Sequence, residues 1–200
     1  MNIRIHPLWF VSGIYFYVYD FLEWWLMIQL IVLLHEFGHA WMAKSLHWKI
    51  ITLHMTPIGG MLELEPRWIS RTTDLVLVAL SGPAMNALLI IVGNLIGDFQ
   101  AWSGANLMMI LFNLLPIFPL DGGQIVKAIL YRWIEYDKAE RILVIWGLLV
   151  TFLGVGLFIQ FVGYHFGIII IGLFLVEQNI HYLKMLKWRS LRRRFMSYSP

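Results

Sequence analysis

The 200-residue sequence contains no cysteine. Disulfides, iron–sulfur clusters and thiolate metal sites are thereby excluded, and a metal ion would have to be held by histidine and carboxylate side chains. Charge is also scarce: Asp, Glu, Lys and Arg make up 14% of the residues, against about a quarter in soluble globular domains. Fifteen basic and 12 acidic residues leave a net charge of +3. That surplus is too small to suggest a nucleic-acid partner for so apolar a chain. No internal repeat or low-complexity tract is visible. Hydrophobic residues account for 60% of the chain and its mean hydropathy is +0.71, the composition of a protein dissolved in a lipid bilayer.

A hydrocarbon layer about 30 Å thick takes about 20 apolar helical residues to cross. The uncharged runs predict an all-α polytopic membrane protein with six transmembrane helices: residues 7–19, 24–45, 75–97, 101–118, and two within 142–176 separated near 161–164. The first run is not followed by a small-residue cleavage site and reads as a retained helix. In this layout every Lys and Arg falls on one side. Arg4 precedes the first span, Lys44, Lys49, Arg67 and Arg71 follow the second, and Lys127, Arg132, Lys138 and Arg141 follow the fourth. The remaining six, from Lys184 to Arg194, follow the last span, whereas the opposite loops hold Asp20, Glu23 and Asp98. The positive-inside rule then puts both termini in the cytoplasm. Residues 1–183 form the expected six-span core, and 184–200 a basic cytoplasmic tail suited to anionic lipid.

Between the second and third spans the hydrophobic period changes. Thr52, His54 and Thr56 alternate with Leu53 and Met55; Pro57, Gly59 and Gly60 supply turn chemistry; Leu62 and Leu64 alternate with Glu63 and Glu65. This predicts a short membrane-associated β-hairpin over about residues 49–65.

The second span contains His35-Glu36-Phe37-Gly38-His39. Residues four apart share one face of a helix, so both imidazoles can reach one metal ion, with Glu36 beside it. An ionisable group at the centre of a membrane helix costs about 2.5 to 3.5 kcal/mol on insertion scales, which calls for a compensating partner such as Zn2+. Catalytic zinc takes three protein ligands and keeps one position open. The candidate third ligand is Asp121, at the end of Asn113-Leu114-Leu115-Pro116-Ile117-Phe118-Pro119-Leu120-Asp121. There two prolines remove backbone donors, and Gly122 and Gly123 are expected to permit non-helical turns lining a cavity at membrane depth. With Glu36 taking a proton from water and later giving it to a leaving amine, the implied reaction is amide hydrolysis.

Taken together, HExxH and the downstream Asn-Pro-Asp-Gly segment resemble the site-2 protease family of intramembrane zinc metalloproteases. The contexts around HEFGHA, Pro57-Ile58-Gly59-Gly60 with Glu63 and Glu65, and NLLPIFPLDGG resemble its stage IV sporulation FB-type branch over nearly the whole chain. The resemblance implies zinc ligands at His35, His39 and Asp121, catalysis by Glu36, and substrate contacts at Asn113, Pro119, Gly59 and Gly60. It further implies that the hairpin dips into the membrane beside the site, and that the substrate is a sporulation sigma factor precursor losing its pro-segment. Inhibitory membrane partner proteins and a place in the mother-cell membrane around the forespore belong to the same implication. Members of this branch often carry a nucleotide-sensing CBS domain after the membrane core; here that domain is expected to be absent or truncated.

Two other classes remain open on sequence alone. A zinc transporter also uses helix-borne His and Glu, and zinc flux in proteoliposomes separates it from a protease. An inactive scaffold would tolerate Glu36→Gln. Ser81, Gly82, Pro83, Ala84 and Asn86 in the third span read as close helix packing, with a hydrated cleft as the alternative.

Overall fold

A computed structural model describes residues 2–56, 59–64, 72–97, 100–163 and 166–196. Pro57, Ile58, Glu65, Arg67, Arg71, Asp98 and Tyr164, which enter the sequence reading, lie outside the described residues. The chain divides into two compact units, residues 1–114 and 115–200.

The first unit begins with β1 (Asn2–Ile5), followed by α1 (Pro7–Val18) and α2 (Leu22–Ser45). His6 caps α1, its Nδ1 accepting from the Leu8 amide, and Pro7 occupies the first turn, where no intrahelical donor is needed. Between α1 and α2, Asp20 adopts a left-handed conformation (φ 61°) that short polar side chains tolerate. Strands β2 (Ile50–Met55) and β3 (Gly60–Leu64) form the expected antiparallel hairpin. The sheet is nonetheless three-stranded, in the order β1-β2-β3, because β1 pairs in parallel with β2 from Asn2 opposite Thr52 to Ile5 opposite Met55. The predicted two-stranded hairpin is corrected accordingly: a lone hairpin is marginal, and a third strand satisfies the outer edge of β2. Leu53 and Met55 seat the sheet against Val32 of α2, while Trp48 and Leu64 meet Ala43 and Val78.

Helices α3 (Thr72–Ile96) and α4 (Gln100–Asn113) complete this unit. Gly38 and the backbone of Ser81 let α2 and α3 approach closely, since a methyl at Gly38 would overlap the Ser81 carbonyl and meet Met85 Cβ at 2.9 Å. At Ser81 this is the close helix packing expected from the sequence. Helix α4 stops five residues before the predicted end of the fourth span, because Pro116 and Pro119 cannot continue a helical ladder.

In the second unit, α5 (Asp121–Leu130), α6 (Tyr136–Val162) and α7 (Phe166–Met196) follow an irregular segment whose Phe118–Pro119 peptide is cis. Here too an expectation is corrected. Gly122 and Gly123 are helical, lying in the first turn of α5. First-turn amides have no intrahelical acceptor, so a helix opens there at little cost, and Gly123 lets it start against the Ile117 carbonyl, which a methyl would overlap. The predicted break between the last two spans falls at Gly163, with φ 99°.

Among the described residues, four helices are long and apolar enough to cross a membrane: Leu22–Ser45, Thr72–Ile96, Tyr136–Phe161 and Gly167–Leu186. With 12 residues in α1 and 14 in α4, these two extend about 18 and 21 Å at 1.5 Å per residue, short of a full hydrocarbon layer. Against the six spans expected, the described residues hold four helices of crossing length. The chain is an integral membrane protein.

Candidate metal centre

Helix α2 carries two stripes. Leu30, Leu33, Phe37 and Trp41 are exposed, as lipid-facing residues are, while Ile31, Val32, His35, Glu36, His39 and Ala43 are buried on the other side. The 3.6-residue period thus turns the whole HExxH motif inward and leaves Phe37 out of it. His35 and His39, one turn apart, stand edge to face at 4.7 Å, and their Nε2 atoms face each other at 3.1 Å.

What holds those rings determines their protonation. His39 Nδ1 lies 2.7 Å from the Val78 carbonyl of α3, which can only accept, so Nδ1 carries the proton. Pro83 interrupts the α3 ladder within a turn of this carbonyl, and Ser81 Oγ also donates to it, at 2.6 Å. For His35 the same logic runs through two buried amides. The Trp102 carbonyl accepts from Asn106 Nδ2 at 2.9 Å, so Asn106 Oδ1 must be the atom that accepts from Asn86 Nδ2 at 2.8 Å. That leaves Asn86 Oδ1 to accept from His35 Nδ1. Both imidazoles are therefore Nδ1–H tautomers whose Nε2 lone pairs converge. Two unprotonated Nε2 atoms 3.1 Å apart would repel, and a divalent cation held by both would relieve that repulsion. Neutral imidazole with its second nitrogen anchored on an acceptor is the donor chemistry of a protein zinc site.

Gly82 of α3 closes the same space. A methyl at Gly82 would overlap Nε2 of His39 and reach Nε2 of His35 at 2.6 Å. Asn86 and Gly82, read from the sequence as packing or cleft residues, thus lie in contact with the His35–His39 pair. The available signal was a buried Asn in a membrane helix, four residues after a Gly, and only the partners identify its role. Asn86→Leu should lower zinc affinity about 10- to 100-fold, the usual penalty for losing the acceptor behind a ligating imidazole. Chelator competition on the purified protein checks this; unchanged affinity would contradict the tautomer assignment.

Glu36 points to a different neighbour. It is 7% exposed, and Gly60, the first residue of β3, sits directly on it: a methyl there would overlap Glu36 Cγ and bring Oε1 to 2.9 Å. The hairpin is thereby fixed beside the carboxylate. Gly59 has another task, closing the turn with Thr56, whose Oγ1 donates to the Gly59 carbonyl at 2.7 Å. Asn113 ends α4 and donates to Met109 of its own helix at 3.1 Å. His54, one of the alternating residues of β2, lies 3.6 Å from Glu63 across the sheet.

Asp121 and Pro119 belong to the second unit. Pro119 is half-buried in the irregular segment. Asp121 is the first residue of α5, where a carboxylate is favoured by the helix dipole, and it is half-buried.

Peptidase family M50 matches residues 24–103 and 94–154, a stretch that contains His35, Glu36, His39 and Asp121. The solved structure of a site-2 protease from Methanocaldococcus jannaschii is similar with a TM-score of 0.73 and 26% identity, covering 90% of this chain and 89% of that one. Stage IV sporulation protein FB of Bacillus subtilis is 28% identical over 151 residues, 71% of this chain and 52% of that protein. A zinc metalloprotease of M. jannaschii is 34% identical over 122 residues, 56% of this chain and 35% of that protein. The chain spans about half the length, or less, of these curated relatives. It belongs to Peptidase family M50, the site-2 protease family.

Proposed function

We propose that the chain is an intramembrane zinc endopeptidase in which His35, His39 and Asp121 hold the metal and Glu36 moves the proton. The single observation that carries this reading is the pair of inward imidazoles fixed as Nδ1–H tautomers with their Nε2 atoms facing each other. Asp121 is the third ligand by its place in the NLLPIFPLDGG segment, within the stretch matched by the family. A bound zinc ion supplies Lewis acidity to a carbonyl oxygen and acidifies a water. Glu36, on the same helix, accepts the proton of the attacking water and returns it to the leaving amide nitrogen, so that neither hydroxide nor an amide anion is released into lipid.

A peptide in helical form hides its backbone groups, so the substrate is taken in extended form. The sheet order β1-β2-β3 makes β3 an edge strand, and β3 begins at Gly60 against Glu36. A substrate strand added to this edge runs past the carboxylate. Gly59, Gly60, Asn113 and Pro119 are assigned to substrate contact on the sequence resemblance. The one-sided distribution of basic residues supports both termini and the sheet at the cytoplasmic face, with α1 and α4 as the short members of a six-span core and 184–200 as its basic tail.

The substrate is a membrane-associated precursor. The likeness to stage IV sporulation protein FB supports a sporulation sigma factor losing its pro-segment, in a mother-cell membrane and under inhibitory membrane partners. The test uses detergent-solubilised protein and a tagged fusion bearing such a pro-segment. Cleavage should stop on dialysis against a chelator and return with stoichiometric zinc; cleavage that survives complete metal removal contradicts the proposal.

A further inference from the structure

The metal reading leaves unexplained how the second unit holds its own contribution steady. Asp121 opens α5, and the segment before it is irregular. Three residues upstream, Phe118 is gripped at both its backbone and its ring. Asn179 of α7, with no exposed surface, donates to the Phe118 carbonyl at 2.6 Å. One turn further along α7, Tyr182 stacks on the Phe118 ring with centroids 4.1 Å apart and planes at 27°. Lys127 of α5 stands 5.8 Å from the centroid of the same ring. The Tyr182 hydroxyl in turn donates to Glu140 of α6 at 2.8 Å, and the same carboxylate oxygen accepts from Tyr131 at 2.7 Å. Helices α5 and α7 thus meet at Phe118, and α6 is tied to it through Tyr182. Burial, and then the Glu140 bond, push the Tyr131 phenol far above its ordinary range, so it remains a donor at any working pH.

The chemistry of Asn179 argues against a role in stability. Its Nδ2 is shared between Phe118 and the Leu175 carbonyl of its own helix, while its buried Oδ1 has no hydrogen-bond partner. A methyl at Gly147 of α6 would come within 3.0 Å of that oxygen. In a membrane helix, an unmade buried hydrogen bond is a standing cost that leucine of similar volume would not carry. The group earns its place through the carbonyl it fixes.

We infer that Asn179 and Tyr182 are positioning residues: by holding the backbone and ring of Phe118, they set the start of α5 and hence the direction of the Asp121 carboxylate. This rests on Asp121 being a metal ligand, and the test separates the two. The full chain is loaded with Co2+ in place of zinc. Its visible ligand-field spectrum, its metal affinity by chelator competition and the melting midpoint of the metal-free form are compared for wild type, Asp121→Asn, Asn179→Leu and Tyr182→Leu. Expected are an altered spectrum and about 10-fold weaker metal binding in Asn179→Leu, in the direction produced by Asp121→Asn, with a melting midpoint equal to or above wild type. A wild-type spectrum and affinity in Asn179→Leu, beside a changed Asp121→Asn, overturns the positioning role and leaves the ligand standing. An unchanged Asp121→Asn overturns both. If Asn179→Leu does not fold, Tyr182→Leu at a half-buried position carries the same expectation, and its wild-type spectrum and affinity overturn the inference.

Discussion

Glu36→Gln should cut peptide cleavage by about 10²- to 10⁴-fold, the range a positioned general acid–base supplies, while zinc stays bound. Glutamine matches glutamate in volume and keeps the packing against Gly60, so the α2–sheet contact survives. What is lost is the ability to accept a proton from water and return it to the amine. Neither imidazole can take over, because in the proposed site each gives its Nε2 lone pair to the metal while its Nδ1 proton is bonded to Asn86 or Val78. Turnover and metal content measured on one preparation decide the matter. A scaffold that keeps the motif for stability would lose nothing, and a zinc transporter would lose flux rather than cleavage. Gly60→Ala is the companion variant: its methyl displaces the Glu36 carboxylate, so kcat should fall with the metal content unchanged.

Gly82→Ala should do the opposite and strip the metal. The added methyl overlaps Nε2 of His39 and crowds that of His35. Neither ring can retreat without breaking its Nδ1 bond, to Val78 in one case and to the Asn86–Asn106–Trp102 relay in the other. Losing an acceptor behind a ligand costs about 10- to 100-fold in metal affinity; occupying the coordination space itself should cost more. Chelator competition is the measurement, and wild-type affinity in Gly82→Ala would show that the imidazoles do not bind metal where their Nε2 atoms now converge.

The parts of this site that lie within one helical turn were legible before any coordinates. His35, Glu36 and His39 share α2, and a period of 3.6 residues is enough to turn them to one side. The β2–β3 hairpin was legible for a similar reason, since its alternation and its glycines are local. Strand β1 was not: its partner lies about fifty positions away, and parallel pairing carries no turn signature. Asn86 and Gly82 were visible as polar and small residues in a membrane helix, but close packing and metal support demand the same residue types, and only the partner atoms distinguish them. In the segment before Asp121 the prolines were read as removing backbone donors, yet the fourth span was carried through to residue 118, past Pro116, whereas α4 ends at Asn113. The glycines were misread because glycine in a first helical turn and glycine in a loop look alike in sequence; what settles Gly123 is the Ile117 carbonyl against it.

X-ray absorption at the zinc edge of the purified, zinc-loaded protein tests the metal centre most directly. Two imidazole nitrogens at about 2.0 to 2.1 Å, with oxygen completing the shell, are the predicted first coordination sphere. His35→Ala and His39→Ala should each remove one imidazole from it. Imidazole scattering that persists undiminished when both histidines are replaced would place the metal elsewhere and contradict the account.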